Sequence, residues 1–313
     1  MGRTGKRVAT ILAILAAVGL ATWGVLAFAL ARNAPAVVDL VDRTTGGSRE
    51  VTMVERARFG DHAAHKVAVY RAGGEPASPL PVIVFYHGGG WHSGDPDDYG
   101  FVARGLAPEG FLVVLAGYRL RPEGIYPAML EDSAAAFAWA RANVAQHGGD
   151  PARMFVAGHS AGAYNAAMLA LDGRWLGRHD LAPDAIAGVI GLAGPYDFYP
   201  FDKDSSRATF GHWQNPRETQ PVAHVSAETP PMLLLHGEED TVVRPRNSRA
   251  LAAALESVGA QVETRFYPGM DHNDPLLGMV SPWRRNRQVL DPIVAFVRDA
   301  ETRASFPVQA EMR

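Results

Sequence analysis

Short apolar segments alternate with helical segments along most of this chain, and this alternation restricts the possible folds more than any other feature. Buried strands are predicted at residues 82–86, 111–120, 153–158, 185–194 and 230–236. Helices are predicted at residues 127–150, 247–259 and 287–301, and an antiparallel strand pair at 48–60 and 65–73. Because strands that alternate with helices form parallel sheets, we expect an α/β protein with a mostly parallel sheet covered on both faces.

The sequence G-H-S-A-G places Ser160 between Gly158 and Gly162, after an apolar strand and before a segment of helical composition. A turn that leaves a strand, holds one residue in a strained conformation and enters a helix at once has no space for Cβ atoms on either side. This strand–turn–helix context is the one that the G-x-S-x-G motif requires. The pattern therefore favours Ser160 as a nucleophile over a glycine-rich connection.

A serine hydroxyl is a poor nucleophile until a base removes its proton, and a third group must orient that base. Downstream of Ser160, Asp240 follows the predicted strand at 230–236. His272 lies in the turn after a further predicted strand. These three residues form a candidate catalytic triad, each placed just after the carboxyl end of a strand.

A tetrahedral intermediate needs preorganised N–H donors for its oxyanion. The strand at 82–86 is followed by His87, three consecutive glycines and Trp91. Three glycines allow the backbone to approach a ligand closely and to point its amides at it. A flexible loop or a phosphate cradle is the alternative, but the segment lacks the lysine of a phosphate-binding loop, and Trp91 makes a plain linker a poor description.

These motifs resemble those of the α/β-hydrolase superfamily, and within it the hormone-sensitive-lipase-like esterases and the small-cap bacterial carboxylesterases, including ferulic acid esterase-like and arylformamidase-like members. The matching motifs are HGGGW (87–91), GYRLRPE (117–123), GHSAG (158–162), HGEEDTVV (236–243) and DH (271–272). The resemblance implies an α/β-hydrolase fold with a small cap, and a triad of Ser160, Asp240 and His272. It also implies an oxyanion hole formed by Ala161 and by amides among Gly88, Gly89 and Gly90.

Other acidic residues compete with Asp240 for its role. Glu238 and Glu239 lie within two residues of Asp240, and only the alignment with the family motif favours Asp240 over them. Asp271 would have to fold back onto the ring of the neighbouring His272, so it is predicted to stabilise the turn, and Asp197 follows a different strand.

The chain differs from members of these families in its cap and in two motif positions. Gly117 stands where an aspartate is frequent, and Gly90 stands where arylformamidase-like chains usually have a bulkier residue, which favours an ester substrate. Only residues 32–50 and a lid-like insertion at about 198–228 are available to build a pocket, and the first is expected to serve mainly as a tether. We therefore expect short acyl groups, roughly C2 to C6, or aryl groups. The predicted substrate-contacting residues are Trp91, Tyr118, Phe198, Tyr199, Phe201 and Trp213; for the aromatic residues of the insertion, the alternative is that they only pack the lid onto the sheet.

Five histidines raise the question of a metal site: His87, His92, His159, His236 and His272. None forms the H-E-x-x-H pattern, and four belong to the motifs above. They are predicted to shape loops through hydrogen bonds, and no metal or cofactor is expected.

The amino-terminal segment predicts a location. An uncharged apolar stretch of 24 residues, 8–31, follows the basic residues Arg3, Lys6 and Arg7. This length favours an uncleaved signal anchor with the enzyme outside the cytoplasm, on the periplasmic side. A cleaved signal peptide, suggested by Ala29-Leu30-Ala31, and a buried helix are the alternatives.

Composition is consistent with one catalytic domain at 33–303, between this segment (1–32) and a tail (304–313). A net charge of −3 gives no reason to expect a nucleic-acid partner, and the absence of cysteine excludes disulfides, a thiol nucleophile and thiolate metal ligands. A serine esterase that acts on a small-molecule ester explains every motif. An arylformamidase- or peptidase-like C–N hydrolase would use the same triad, and a non-catalytic binding protein on this fold is the remaining alternative.

Overall fold

The structure is a computed structural model that describes residues 23–24, 33–46 and 50–305. Its centre is a sheet of eight strands in the order β1-β2-β4-β3-β5-β6-β7-β8. The strands are β1 (Val51–Arg58), β2 (Lys66–Ala72), β3 (Leu80–Tyr86), β4 (Leu112–Ala116), β5 (Gly149–His159), β6 (Gly188–Leu192), β7 (Met232–Gly237) and β8 (Val262–Tyr267). Strands β1 and β2 are antiparallel to their neighbours. The other six strands, β3 to β8, are parallel to one another. The predicted mostly parallel sheet is confirmed.

Helices cover both faces of the sheet. They are α1 (33–44), α2 (Gly100–Leu106), α3 (Ala128–Asn143), α4 (Ala161–Leu171), α5 (Arg174–Gly177), α6 (Asp204–Phe210), α7 (Arg246–Ser257), α8 (Asp274–Leu277) and α9 (Leu290–Ser305). Side chains of a strand point alternately to opposite faces. In β3, Val82 and Val84 pack into the core under α3 and α4, whereas Ile83 and Phe85 pack into the core under α2 and α9. This two-sided burial explains why β3 is an unbroken apolar run.

The segment expected to be a tether is instead a helix that packs onto the domain. Helix α1 carries Asp39 and Asp42, which are 5% and 0% exposed, and both accept hydrogen bonds from the buried Arg104 of α2. The Arg104 Nε to Asp42 Oδ2 distance is 2.6 Å. Asp42 also accepts hydrogen bonds from Arg284 and from the backbone N–H of Ser281. Two charges removed from water need such partners, so α1 is held at one position on α2.

The predicted membrane anchor lies outside the described residues, apart from residues 23–24. Among the helices that the structure describes, none combines the length and the hydropathy needed to cross a bilayer. Most of the predicted tail, from residue 306 onward, also lies outside the described residues.

Candidate active site

Ser160 occupies the turn between β5 and α4, at the centre of the sheet. Its backbone has φ 54° and ψ −119°, a left-handed conformation that is strained for a residue with a Cβ. A Cβ on Gly158 would lie 2.3 Å from the backbone of Gly162, and a Cβ on Gly162 would lie 2.0 Å from the carbonyl oxygen of Tyr86. The two glycines are therefore required by close backbone contacts on both sides of the turn, as the motif predicts.

The three predicted triad residues lie within hydrogen-bond distance of one another. His272 Nε2 is 2.9 Å from Ser160 Oγ, and His272 Nδ1 is 2.6 Å from Asp240 Oδ2. All three side chains are buried. Asp240 lies in the turn after β7 and His272 in the turn after β8, so neighbouring parallel strands bring the acid and the base to the same edge of the sheet. This arrangement leaves Nε2 free to accept the proton of the serine hydroxyl.

The environment of Asp240 keeps its carboxylate ionised. Burial alone would raise the pKa of Asp240, but hydrogen bonds from His236 and His272 outweigh it and hold that pKa well below its usual range. Its other oxygen, Oδ1, accepts hydrogen bonds of 2.8 Å from the backbone N–H groups of Val242 and Val243. An ionised Asp240 fixes the imidazole tautomer in which Nδ1 carries the proton.

The competing acids are engaged elsewhere. Glu238 pairs with Arg249 at 2.6 Å, and the side chain of Glu239 is exposed. The Asp271 carboxylate accepts a 2.8 Å hydrogen bond from the backbone of Asn273, within its own turn. Asp197 forms no hydrogen bond or ion pair with His272 in the described part of the chain, and its backbone N–H donates to Asn247. The geometry therefore selects Asp240 among the candidates.

Two further histidines hold the triad in place, and sequence reasoning had assigned them only a general loop-shaping role. His236 is fully buried, and its Nε2–H donates to the carbonyl oxygen of Val243 at 2.7 Å while lying 3.2 Å from Asp240 Oδ2. His159 Nε2–H donates to the carbonyl oxygen of His272 at 2.9 Å. His236 thus positions the acid, and His159 positions the backbone of the base. Among the described residues, no group of histidine and acidic side chains could hold a metal ion.

The glycine-rich loop lies beside Ser160 with an unusual backbone. Gly89 and Gly90 have φ 111° and 58°, and Trp91 has φ 59°. A Cβ on Gly89 would lie 2.0 Å from the carbonyl oxygen of Ser93, so only glycine fits there. Within the described part of the chain, the backbone N–H groups of Gly89 and Gly90 donate no hydrogen bond, and that of Ala161 is one of the unpaired donors at the start of α4. All three residues line the cavity next to Ser160, which makes them candidate oxyanion donors.

Gly88 and Tyr118 support this loop from behind. A Cβ on Gly88 would lie 2.9 Å from His159 Nδ1 and 3.4 Å from the Cβ of Ser160, so Gly88 is packed against the nucleophile turn. Tyr118 is buried, stacks on the ring of His87 at 4.5 Å and donates a 2.7 Å hydrogen bond to the His87 carbonyl oxygen. Neither residue is part of the cavity wall as the structure describes it. The expectation that Tyr118 contacts substrate is therefore corrected: its phenol holds the His87 end of the glycine-rich loop.

The triad opens into a cavity of about 1120 Å³. Trp91 and Phe198 line it, as expected, and pack with Phe210 in an aromatic cluster. Trp213 is not in the described wall, because its indole packs on Tyr126 and donates to Glu218 at 3.2 Å. In the predicted lid, Tyr199 is 45% exposed and Phe201 packs on Phe198. These two residues also lie outside the described wall, and of the two only Phe201 packs against the core, as the packing alternative expects.

Helix α1 forms another part of the wall. Asn33, Ala34, Pro35 and Val38 line the cavity, and the side-chain amide of Asn33 donates a 2.6 Å hydrogen bond to Asp98. Sequence reasoning missed this role, because it treated residues 32–50 mainly as a tether. The apolar residues Ala34, Val38 and Val41, which are spaced four and three residues apart on one helical face, were the available signal.

Buried neutral histidines make the site sensitive to acid. Burial lowers the pKa of His87 to about 4, and burial with the nearby His272 lowers the pKa of His159 to about 3. In the unfolded chain both titrate near 6.5, so between that pH and about 4 the unfolded state binds more protons and stability falls as pH falls. We expect each histidine to remove roughly 2 kcal/mol of unfolding free energy between pH 7 and pH 5. Urea unfolding at both pH values should show a smaller loss for His159→Gln than for the wild type; equal losses would contradict this account.

The sequence matches a known protein family and several known proteins. Residues 69–255 match the BD-FAE family model. The chain belongs to the BD-FAE family. Esterase LipC of Mycobacterium tuberculosis is 31% identical to this BD-FAE member over 255 residues, which cover 74% of the chain and 63% of LipC. Carboxylesterase NlhH of the same species is 50% identical over 92 residues, 29% of each protein. The chain thus spans less than two thirds of the length of these relatives.

A solved structure shows the same fold over nearly the whole chain. Esterase B of Lactobacillus rhamnosis matches with a TM-score of 0.73 and 19% identity, covering 95% of this chain and 99% of esterase B. At this identity the similarity concerns the fold alone. It supports the α/β-hydrolase architecture predicted from the motifs.

Proposed function

We propose that this BD-FAE member hydrolyses carboxylic esters through an acyl-enzyme on Ser160. The observation that carries the proposal is the continuous hydrogen-bond chain from Ser160 through His272 to Asp240. LipC and NlhH, which are similar to it in sequence, are named esterase and carboxylesterase.

Acylation follows from this geometry. Ser160 Oγ attacks the ester carbonyl carbon while its proton passes to His272 Nε2, and the carbonyl electron pair moves onto the oxygen. The N–H group of Ala161 and amides among Gly88, Gly89 and Gly90 stabilise this oxyanion. The intermediate collapses, the carbon–oxygen bond to the alcohol breaks, and His272 Nε2 gives its proton to the leaving alkoxide.

Deacylation repeats the sequence with water. His272 takes a proton from a water molecule whose oxygen attacks the acyl carbon, and then returns the proton to Ser160 Oγ as the carboxylic acid leaves. Asp240 stays ionised throughout and stabilises the imidazolium.

A substrate panel tests the choice between ester and amide. A C–N hydrolase would use the same residues, so matched p-nitrophenyl acetate and p-nitroacetanilide distinguish the two. We expect kcat/KM for the ester to exceed that for the anilide by at least about a hundredfold beyond the ratio of their uncatalysed rates. A preference for the anilide would replace ester hydrolysis by C–N hydrolysis as the function.

Substrate size is the finer part of the proposal. Short acyl groups of roughly C2 to C6, or aryl groups, would contact Trp91 and Phe198 next to Ser160. Helix α1 adds wall residues to a cavity of about 1120 Å³, so the proposed limit rests on the contacts beside Ser160 and not on a shortage of wall residues. A p-nitrophenyl ester series from acetate to palmitate measures the limit, and a maximum at C12 or longer would contradict it.

Residues 8–31 are proposed to anchor the protein in a membrane, with the catalytic domain on the periplasmic side. The support is their length and apolar composition. An anchored chain sediments with membranes after carbonate extraction, whereas a mature protein that starts at Arg32 in the soluble fraction would show cleavage instead.

A further inference from the structure

Three cationic residues line the catalytic cavity and form no ion pair with any described residue: Lys203, Arg244 and Arg246. Of the three acids of the same described wall, only Asp95 is paired with a cation. Asp95 bonds Lys66 at 2.7 Å, and Asp98 accepts the hydrogen bond from Asn33. Asp202 is the remaining acid of the described wall and has no partner there. Asp98 and Asp202 have no cationic partner among the described residues, so the three cations exceed these two carboxylates by one positive charge in this part of the cavity.

The backbone that carries the two arginines is fixed to the triad. Val243, which precedes Arg244, donates its N–H to Asp240 and accepts the hydrogen bond from His236. The carbonyl oxygen of Arg244 accepts hydrogen bonds from the backbone N–H and the side-chain amide of Asn247, at 3.0 and 3.1 Å.

Asn247 is itself immobilised. It is 4% exposed, and its Oδ1 accepts hydrogen bonds from the backbone N–H groups of Tyr196 and Asp197 at 3.0 and 2.9 Å. The positions from which both arginine side chains leave the backbone are therefore set by buried contacts, which lowers the cost of ordering them around a ligand.

This local charge opposes that of the whole chain. The protein has a net charge of −3, so the unpaired cations are not part of a generally basic surface. Charges of one sign in a cleft with low-dielectric walls attract ligands of the opposite sign more strongly than the same charges on an open surface. Arginine also matches carboxylate and phosphate groups with paired N–H donors.

We infer that the Arg244 and Arg246 side of the cavity binds an anionic group, a carboxylate or a phosphate, carried by the substrate. The inference rests on the proposed ester hydrolysis and adds the chemical class of the ester. The anion is attached to either the acyl or the alcohol part of the substrate, and it adds binding energy at a distance from the scissile bond.

Two matched pairs of esters test this. Monomethyl adipate and methyl hexanoate differ by a carboxylate at the end of the acyl chain, and 4-carboxyphenyl acetate and 4-methylphenyl acetate differ by a carboxylate on the alcohol side. For at least one pair, the ratio of kcat/KM for the anionic ester to that for the neutral ester should fall about tenfold in Arg244→Gln/Arg246→Gln. The wild-type ratio should also fall as salt is added. The contradicting result is a ratio that is unchanged by the double variant for both pairs.

Arg249→Gln is the matched control. Arg249 lies on α7, as Arg246 does, but it pairs with Glu238 and lies over the ring of Phe266, outside the described cavity wall. Its replacement should leave the ratio of kcat/KM values unchanged. If the ratio fell as much as in the double variant, the effect would come from the net charge of the protein, and the inference would be overturned.

Calorimetry separates this inference from the proposed function. Ser160→Ala protein, which cannot turn the esters over, should bind the anionic member of one pair at least about tenfold more tightly than the neutral member, and the added double substitution should remove the difference. If the wild type hydrolyses none of the esters, the proposed function fails while this binding result still decides the inference. Equal binding of both members in both pairs would overturn it.

Discussion

Ser160→Ala should lower kcat for an ester by about 10⁴- to 10⁶-fold while the protein stays folded. The substitution removes the atom that forms the acyl-enzyme, and it leaves the buried turn between Gly158 and Gly162 intact because alanine is smaller than serine. Hydrolysis of p-nitrophenyl acetate, followed together with circular dichroism and thermal unfolding, measures both parts of the expectation.

The assignment of Asp240 as the triad acid is tested by comparison with Glu239. Asp240→Asn should lower kcat by about 10⁴-fold, because an amide cannot hold the required imidazole tautomer. Glu239→Gln should stay close to the wild type, since that side chain is exposed and only its backbone N–H is bonded, to the carbonyl oxygen of Met270. Equal damage from both substitutions, or a Ser160→Ala enzyme of near-normal rate, would refute the assigned triad.

Arg104→Met is expected to cost about 3–5 kcal/mol of unfolding free energy. The methionine fills much of the space, but Asp39 and Asp42 then stay buried without their shared partner. Urea unfolding at pH 7 measures the loss. Arg43→Met is the matched control, because Arg43 also pairs with Asp39, at 2.7 Å, but is 54% exposed and should cost less than about 1 kcal/mol.

The comparison between these two variants decides the role of the network. Similar small losses would mean that Arg104 does not hold α1 in place. A large loss for Arg104→Met that is reversed when Asp39→Asn and Asp42→Asn are added would locate the cost in the two carboxylates that lose Arg104 as a partner.

The sheet and the proximity of the three candidate triad residues could be predicted because both depend on local patterns in the sequence. The unbroken apolar run of β3 and the two glycines around Ser160 each report a backbone environment that few other residues tolerate. Asp240 and His272 follow strands, and the carboxyl ends of parallel strands lie along one edge, so their proximity follows from the order of strands. The family register then separated Asp240 from Glu238 and Glu239.

What could not be predicted depends on contacts between distant parts of the chain. Asp42 and Arg104 are each ordinary surface-type residues in the sequence, and nothing local shows that they are buried against one another. The role of Tyr118 is equally hard to predict, because its phenol could contact either a ligand or a carbonyl group. Only its packing against His87 in the fold decides between them. The two orienting histidines, His159 and His236, belong to recognised motifs, but the atoms they bond are set by the turns after β7 and β8.

The place of α1 in the cavity wall also governs where the chain can be shortened for protein production. A truncated chain that starts after residue 46 would lack the stretch from Asn33 to Val38 that lines the cavity, and it would deprive Arg104 of both carboxylates. A chain that starts at Asn33 keeps these contacts and still omits the apolar segment. Poor turnover by the shorter chain would therefore result from the truncation itself. It would give no information about the chemistry of the intact enzyme.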